Sequence, residues 1–170
     1  ARLERAKTFG ADAVFNSASA SLAEDVAAFT GGPGFDAIID IAGGSRKVLD
    51  QCLSMVKDGG TLVLFGLYGD PTVTLNGYTI NDIIFHMREF SVEHQGKTIH
   101  VRGITGREGI WPYLIDTVAT SPEIQRKIMS LVTVKGTLEK LGEDTAALDT
   151  KKTIKRAYLP FAPEHAGAAG

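Results

Sequence analysis

Two short apolar segments that end in glycine constrain the fold of this chain most. They are FDAIIDIAGG, residues 35–44, and TLVLFGL, residues 61–67. Each has the length of one buried strand, and both are apolar almost throughout. Strands of this kind occur where both faces of a parallel sheet are covered. The sequence therefore predicts a parallel sheet with helices on its faces.

Helical patterns alternate with these strands. The first predicted helix is Arg2 to Phe9, and a short strand is predicted at Ala13 to Phe15. A second helix begins at Ser21, where SLAE has the pattern of a capping box. A third follows Ser45 and has a wide apolar face up to Val56. The alternation of helix and strand predicts a three-layer α/β fold.

The remaining sequence has weaker patterns. They predict a short helix in NDIIFHMREF, a loop or edge hairpin in SVEHQGK, a strand at Thr98–Gly106, a helix starting near Pro112, another starting at Ser121, a polar helix or turn after Gly136, a last strand at Lys152–Phe161 and a disordered tail at 163–170.

Composition excludes several classes of protein. The chain has 170 residues and a formal net charge of -2, so no electrostatic argument supports a nucleic-acid partner or an anionic membrane. No apolar run has the length of a membrane span. The only cysteine, Cys52, excludes an intramolecular disulfide and a thiolate-rich zinc cage within the chain. A reducing, cytoplasmic location is the default expectation.

Glycine or another small residue follows three of the predicted strands. The three segments are Ala42-Gly43-Gly44, Gly66-Leu67 and Gly103 to Gly106. Ligands of open parallel sheets bind outside the carboxyl ends of the strands, and glycine there lets a flat ligand approach bare backbone. The same pattern also fits three tight turns with no ligand.

The order of four segments resembles the medium-chain dehydrogenase/reductase family, zinc-dependent alcohol dehydrogenase type. The segments are RLERAKTFGADAVFN, GFDAIIDIAGG, KDGGTLVLFGL and VRGITGRE, and the last is similar to the threonine and polyol dehydrogenase branch. The resemblance implies a Rossmann-like sheet that is incomplete at its N-terminal half. It also implies a dinucleotide-binding domain over residues 1–132 and a segment at 133–162 that returns toward a catalytic domain.

The resemblance also implies a cofactor, NAD or NADP, and a small-molecule alcohol as substrate. The family's glycine-rich phosphate turn and zinc-bearing catalytic domain have no counterpart in this sequence. Zinc is therefore expected only in that other domain, and the chain is expected to be a C-terminal fragment that is inactive alone. A homo-oligomer or a partner chain is expected to cover the sheet edge beside Ala13 to Phe15.

The resemblance assigns cofactor contacts but no catalytic residue and no metal ligand. It implies that Ala42 and Gly43 lie on the adenosine side of the cofactor and that Phe65, Gly66 and Leu67 lie on its nicotinamide side. It also implies that the strand end at Gly103, Ile104 and Thr105 binds the carboxamide, and that Lys155 is a basic residue near the pyrophosphate.

Two other classes of protein stay open on the residues alone. VKDGGTLVLFG also resembles the fourth and fifth strands of S-adenosylmethionine-dependent methyltransferases, although RLERAKTFGADAVFN and RGITGRE do not fit that family. A non-catalytic interaction module with a Rossmann-like fold is the other alternative. No histidine pair has the H-E-x-x-H spacing of a helical zinc site.

Overall fold

A computed structural model describes residues 2–106, 109–146 and 155–159. The chain divides into two compact units, one of residues 15–107 and the other of residues 1–14 and 108–170. None of the helices in the described ranges is long and apolar enough to cross a membrane.

Helices and strands alternate over residues 22–64, and consecutive elements of one kind occur elsewhere in the described residues. The helices are α1 (Arg2–Thr8), α2 (Leu22–Thr30), α3 (Arg46–Met55), α4 (Ile80–Phe85), α5 (Ile110–Thr120), α6 (Pro122–Ser130) and α7 (Leu141–Ala146), with a 3-10 turn at Leu138–Lys140. The strands are β1 (Phe35–Asp40), β2 (Val56–Leu64), β3 (Thr74–Leu75), β4 (Tyr78–Thr79), β5 (Glu89–His94), β6 (Lys97–Gly103), β7 (Val132–Thr137) and β8 (Lys155–Leu159).

The unit of residues 15–107 contains a four-stranded sheet in the order β1-β2-β6-β5. Strands β1, β2 and β6 are parallel, with Ile39 opposite Val63 and Leu62 opposite Val101. Strand β5 pairs antiparallel with β6 and forms the edge hairpin. The predicted α/β fold with a mostly parallel sheet is therefore confirmed. Because β1, β2 and β6 are parallel, their carboxyl ends lie on the same side of the sheet.

One apolar core joins this sheet to α3 and α4. Leu49 and Leu53 of α3, Ile83 of α4, and Leu62 and Ile99 of the sheet are almost completely buried in the same cluster. Each such side chain contributes about 1.5–3 kcal/mol relative to full exposure. The core therefore holds α4 against the sheet next to the carboxyl end of β6.

Strand β2 has different bounds from the predicted strand Thr61–Leu67. It begins earlier because the chain continues through Gly59, which has φ +68°, while the pairing with β1 shifts register. It ends at Leu64 because the N–H groups of Phe65 and Gly66 both donate to the Asp40 carbonyl. The backbone therefore turns toward the end of β1 just after the strand.

The strand predicted at Ala13–Phe15 is absent, and this prediction was wrong. No strand of the described part of the chain pairs with these residues, so their backbone has no ladder to join. Phe15 instead packs edge-on against Phe29, with ring centroids 5.7 Å apart. The capping box at Ser21 is also absent, since its hydroxyl donates to Asp25 at the N-terminus of α2.

The second unit contains α1, α5, α6 and the parallel pair β7–β8. Helix α5 begins at Ile110, which puts Pro112 in its first turn as predicted. Ser121 caps α6 by accepting a hydrogen bond from the Ile124 N–H at 3.3 Å. Strand β7 was not predicted, whereas β8 lies inside the predicted last strand. The predicted tail, residues 163–170, lies outside the described residues.

Candidate functional site

A cleft of about 350 Å³ opens at the carboxyl ends of β1, β2 and β6. It is lined by residues that directly follow these strands and by the end of α4, namely Ile41, Phe65, Gly66, Leu67, Ile84, Phe85, Ile104, Thr105 and Gly106. Five of them were predicted as cofactor contacts from the sequence. Parallel strand ends are the usual ligand position in such sheets.

Large apolar side chains are exposed around this cleft. Phe65, Leu67 and Phe85 expose 43%, 56% and 58% of their surface. Within the described ranges, the Thr105 N–H and hydroxyl form no hydrogen bond with another residue. The cleft thus combines apolar walls with a few backbone and hydroxyl groups, as small-molecule sites do.

The two predicted adenosine-side positions, Ala42 and Gly43, do not line this cleft. Ala42 is exposed and lines a second cavity, of about 440 Å³, beside β1, α2 and α3. Gly43 is buried and has φ +60°. A Cβ on Gly43 would collide with the Leu67 carbonyl oxygen and lie 2.7 Å from the Gly66 carbonyl carbon.

Close backbone packing accounts for the glycines at the strand ends. A Cβ on Gly66 would collide with the Gly43 nitrogen and lie 2.7 Å from the Ile41 carbonyl. A Cβ on Gly103 would meet the backbone of Ile83 and come within 2.9 Å of the Ile84 nitrogen. Gly103 does not line the cleft. The tight-turn explanation therefore holds for these positions, while the side chains next to them form the cleft.

Asp40, the last residue of β1, is a buried polar residue at the carboxyl ends of these strands, with 4% of its surface exposed. Its carboxylate accepts hydrogen bonds from the Gly43 N–H and the Tyr68 hydroxyl, both at 2.8 Å. Its backbone carbonyl accepts from Phe65 at 3.0 Å and Gly66 at 2.8 Å. Asp40 thus connects the turn after β1 to the turn after β2 by hydrogen bonds.

Tyr68 extends this connection to α4. The Tyr68 N–H donates to Asn81 Oδ1 at 2.9 Å, and Asn81 Nδ2 donates to the Tyr68 carbonyl at 2.8 Å. Burial and the hydrogen bond to Asp40 raise the pKa of the Tyr68 hydroxyl, so it stays a donor. Burial, followed by the nearby Asp40 charge, raises the pKa of Cys52 to about 11.

Asp40, Tyr68 and Asn81 were missed as site residues by sequence reasoning. One signal was present: Asp40 is a single acid inside the apolar run AIIDIA. An acid in a buried strand requires hydrogen-bond donors nearby. Tyr68 and Asn81 gave no comparable signal, because nothing local pairs two residues 13 positions apart.

Lys155 is the first residue of β8, and its backbone is paired with that of Val132. Its side chain lies outside what the structure describes, so its contact with a pyrophosphate stays a prediction. Among the described residues, no cluster of His, Cys, Asp and Glu could hold a metal ion. The described residues thus do not fit a zinc site.

A family model for zinc-binding dehydrogenases matches residues 1–120. An alcohol dehydrogenase of Cupriavidus necator is 40% identical over 78 residues, which are 45% of this chain and 21% of that protein. An NADP-dependent isopropanol dehydrogenase of Clostridium beijerinckii is 36% identical over 73 residues, 43% of this chain and 20% of that protein.

Solved structures give the same result. 2R,3R-butanediol dehydrogenase from Bacillus subtilis has a TM-score of 0.61 and 25% identity over 94% of this chain and 41% of its own. Alcohol dehydrogenase TADH from Thermus sp. ATN1 has a TM-score of 0.61 and 22% identity, over 91% of this chain and 40% of its own. The second likeness concerns the fold alone.

The chain belongs to the zinc-binding dehydrogenase family, of the medium-chain alcohol dehydrogenase type. The family resemblance stated from the sequence is confirmed, whereas the likeness to the threonine and polyol dehydrogenase branch stays a prediction. The dehydrogenase rather than the methyltransferase alternative is supported. Matches reach about a fifth of the length of the curated relatives and about two fifths of the solved structures.

Proposed function

We propose that this chain is the cofactor-binding part of an NAD- or NADP-dependent dehydrogenase that takes hydride from a secondary alcohol or polyol. The observation that carries the proposal is the cleft at the carboxyl ends of β1, β2 and β6. It gathers Phe65, Gly66, Leu67, Ile104 and Thr105, the positions that the family resemblance assigns to the nicotinamide half.

The chain's own residues bind and orient in this proposal. The Phe65 and Leu67 side chains exclude water from one side of a flat ring, and Thr105 supplies hydrogen bonds to its carboxamide. A bound nicotinamide supplies the hydride acceptor. Ala42 and Gly43 lie on the adenosine side, and Lys155 offsets pyrophosphate charge. Gly103 contributes through its close packing against α4.

Three further proposals concern the chain as a whole. The 170-residue chain alone does not turn over alcohols, because the match covers only part of the related enzymes. A second copy or a partner chain covers the edge strand β1 of its sheet; the edge was expected beside Ala13 to Phe15, which form no strand. We place the protein in the cytoplasm, since its single cysteine suits a reducing compartment.

Backbone NMR titration of the chain with NAD, NADP and S-adenosylmethionine tests the cofactor proposal. We expect NAD or NADP to shift the amide signals of residues 65–67 and 104–106, and Leu67→Asp to weaken that binding about tenfold or more. Ile115→Asp is the control, since Ile115 on α5 is also exposed, at 65%. Shifts produced only by S-adenosylmethionine, or none in these residues, would contradict the proposal. Reduced cofactor formed in the presence of polyols would contradict the proposed inactivity.

A further inference from the structure

We propose that Asp40, Tyr68 and Asn81 form a positioning network that holds segment 65–68 in the shape required to bind the cofactor. This inference rests on the proposed function. Asp40 lines the 440 Å³ cavity beside Ala42, but none of the three side chains lines the 350 Å³ cleft. Their effect on a ligand in the 350 Å³ cleft is therefore transmitted through the backbone of the segment.

The segment is held at both ends by hydrogen bonds from outside it. At its start, the Phe65 and Gly66 N–H groups donate to the Asp40 carbonyl. At its end, Tyr68 is bound through its backbone by Asn81 and through its hydroxyl by the Asp40 carboxylate. Residues 65–68 directly follow β2 and are thus hydrogen-bonded to both β1 and α4.

Between these anchors, the segment presents its side chains to the cleft. Phe65 and Leu67 are exposed at 43% and 56%, whereas Tyr68 is buried at 3%. Gly66 packs against Gly43, whose own N–H is held by Asp40 Oδ1 at 2.8 Å. The orientation of the two apolar walls is therefore set by residues behind them.

The polar character of the network supports a positioning role. Burying a carboxylate has a desolvation cost that an apolar residue of the same size avoids. Within the described ranges, no Lys, Arg or His forms an ion pair with Asp40. Directional hydrogen bonds select one arrangement of the two turns, which apolar packing does less strictly.

The test uses the natural polypeptide that carries residues 1–170 and measures its affinity for NAD and NADP. Tyr68→Phe removes one hydroxyl, and Asn81→Leu removes the amide. We expect each to weaken binding about fivefold at a temperature at which the variant is fully folded. Tyr78→Phe is the matched control and should leave affinity unchanged, since the Tyr78 hydroxyl has no hydrogen bond among the described residues.

A conservative change at Asp40 separates positioning from general stability. The amide introduced by Asp40→Asn can accept from Gly43 and donate to the Tyr68 oxygen, so its affinity should fall less than about twofold. Asp40→Ala removes both bonds, so its affinity should fall about tenfold, and the Gly43 amide should exchange faster with solvent.

The outcomes separate the network from the proposed function. Binding by the wild type with unchanged affinity in Tyr68→Phe, Asn81→Leu and Asp40→Ala would overturn the network alone. Absence of binding by the wild type would overturn both the network and the proposed function. Equal losses in Asp40→Asn and Asp40→Ala would also overturn the network, because the paired geometry would then not matter.

Discussion

Gly66 lines the cleft, but its lack of a side chain serves close backbone packing rather than contact with a ligand. The family resemblance assigns Gly66 to the nicotinamide side, where the absence of a side chain would let a flat ligand approach bare backbone. The structure directs a Cβ at this position into the backbone of Gly43 and Ile41. The absence of a side chain there therefore allows two turns to touch.

Gly66→Ala should destabilise the fold by about 1–3 kcal/mol, because the two turns must separate to accept the methyl group. Gly69→Ala is the matched control, since a Cβ on Gly69 meets no atom within 4 Å. Chemical denaturation of both variants measures the free energy of unfolding. Equal stability of the two variants would show that the turns separate without cost.

Residue-level prediction from sequence succeeded where local spacing carried the information. Phe65, Gly66 and Leu67 follow an apolar strand directly, and the structure brings them to the cleft with Ile104 and Thr105. The pairing of Tyr68 with Asp40, 28 positions away, depends on the register of β1 and β2. No local pattern encodes that register, so the network behind the cleft could not be predicted.

At the scale of elements, sequence patterns predicted helices and buried strands better than strand ends. The pattern of α3 and the run in β1 were clear because packing follows their periodicity. The end of β2 depends on two hydrogen bonds to Asp40, and an apolar run gives no signal of such a change. β7 was missed because VTVKGT contains a lysine and a glycine, and its parallel partner β8 is distant in sequence.

The junction of α4 with the edge hairpin should be sensitive to acid. Asp82 of α4 accepts a hydrogen bond from Arg88 Nε at 2.6 Å and lies 2.9 Å from His86 Nδ1. The bond to Arg88 is the main reason that the pKa of Asp82 lies below its usual value of 3.8. An unfolded chain therefore binds a proton here more readily than the folded chain does.

This pKa difference stabilises the fold above about pH 4, and acid removes the stabilisation as the pH falls through the lower, folded pKa of Asp82. Asp82→Asn should thus be less stable than the wild type at pH 7, and the difference should shrink toward pH 2. Thermal unfolding as a function of pH measures both effects. Asp116→Asn, on exposed α5, should run parallel to the wild type; a constant deficit for Asp82→Asn at all pH values would contradict the ion-pair explanation.

At the scale of the whole molecule, the described sheet of the 15–107 unit has two edge strands, β1 and β5, and β1 is the one that is paired in parallel. Strand β1 pairs with β2 on one side, and no strand of the described part of the chain pairs with its other side. In the doubly wound strand order 3-2-1-4-5-6, the fourth strand lies next to the first. Strands β1, β2 and β6 follow the parallel order of the second half of that sheet, so the open side of β1 corresponds to the position of a first strand.

The open edge of β1 should make the isolated chain self-associate through strand pairing. Its residue Ile39 is 58% exposed, and an open apolar edge strand favours pairing with another copy. Sedimentation velocity should therefore show dimers or larger species that increase with protein concentration. Ile39→Lys should reduce this association, because a charged side chain on an edge strand opposes pairing. Ser54→Lys adds the same charge at an exposed position of α3 and should associate like the wild type. If both variants associate equally, the edge of β1 is not the contact between copies. If the wild type stays monomeric up to high concentration, the chain does not use this edge to bind a second copy.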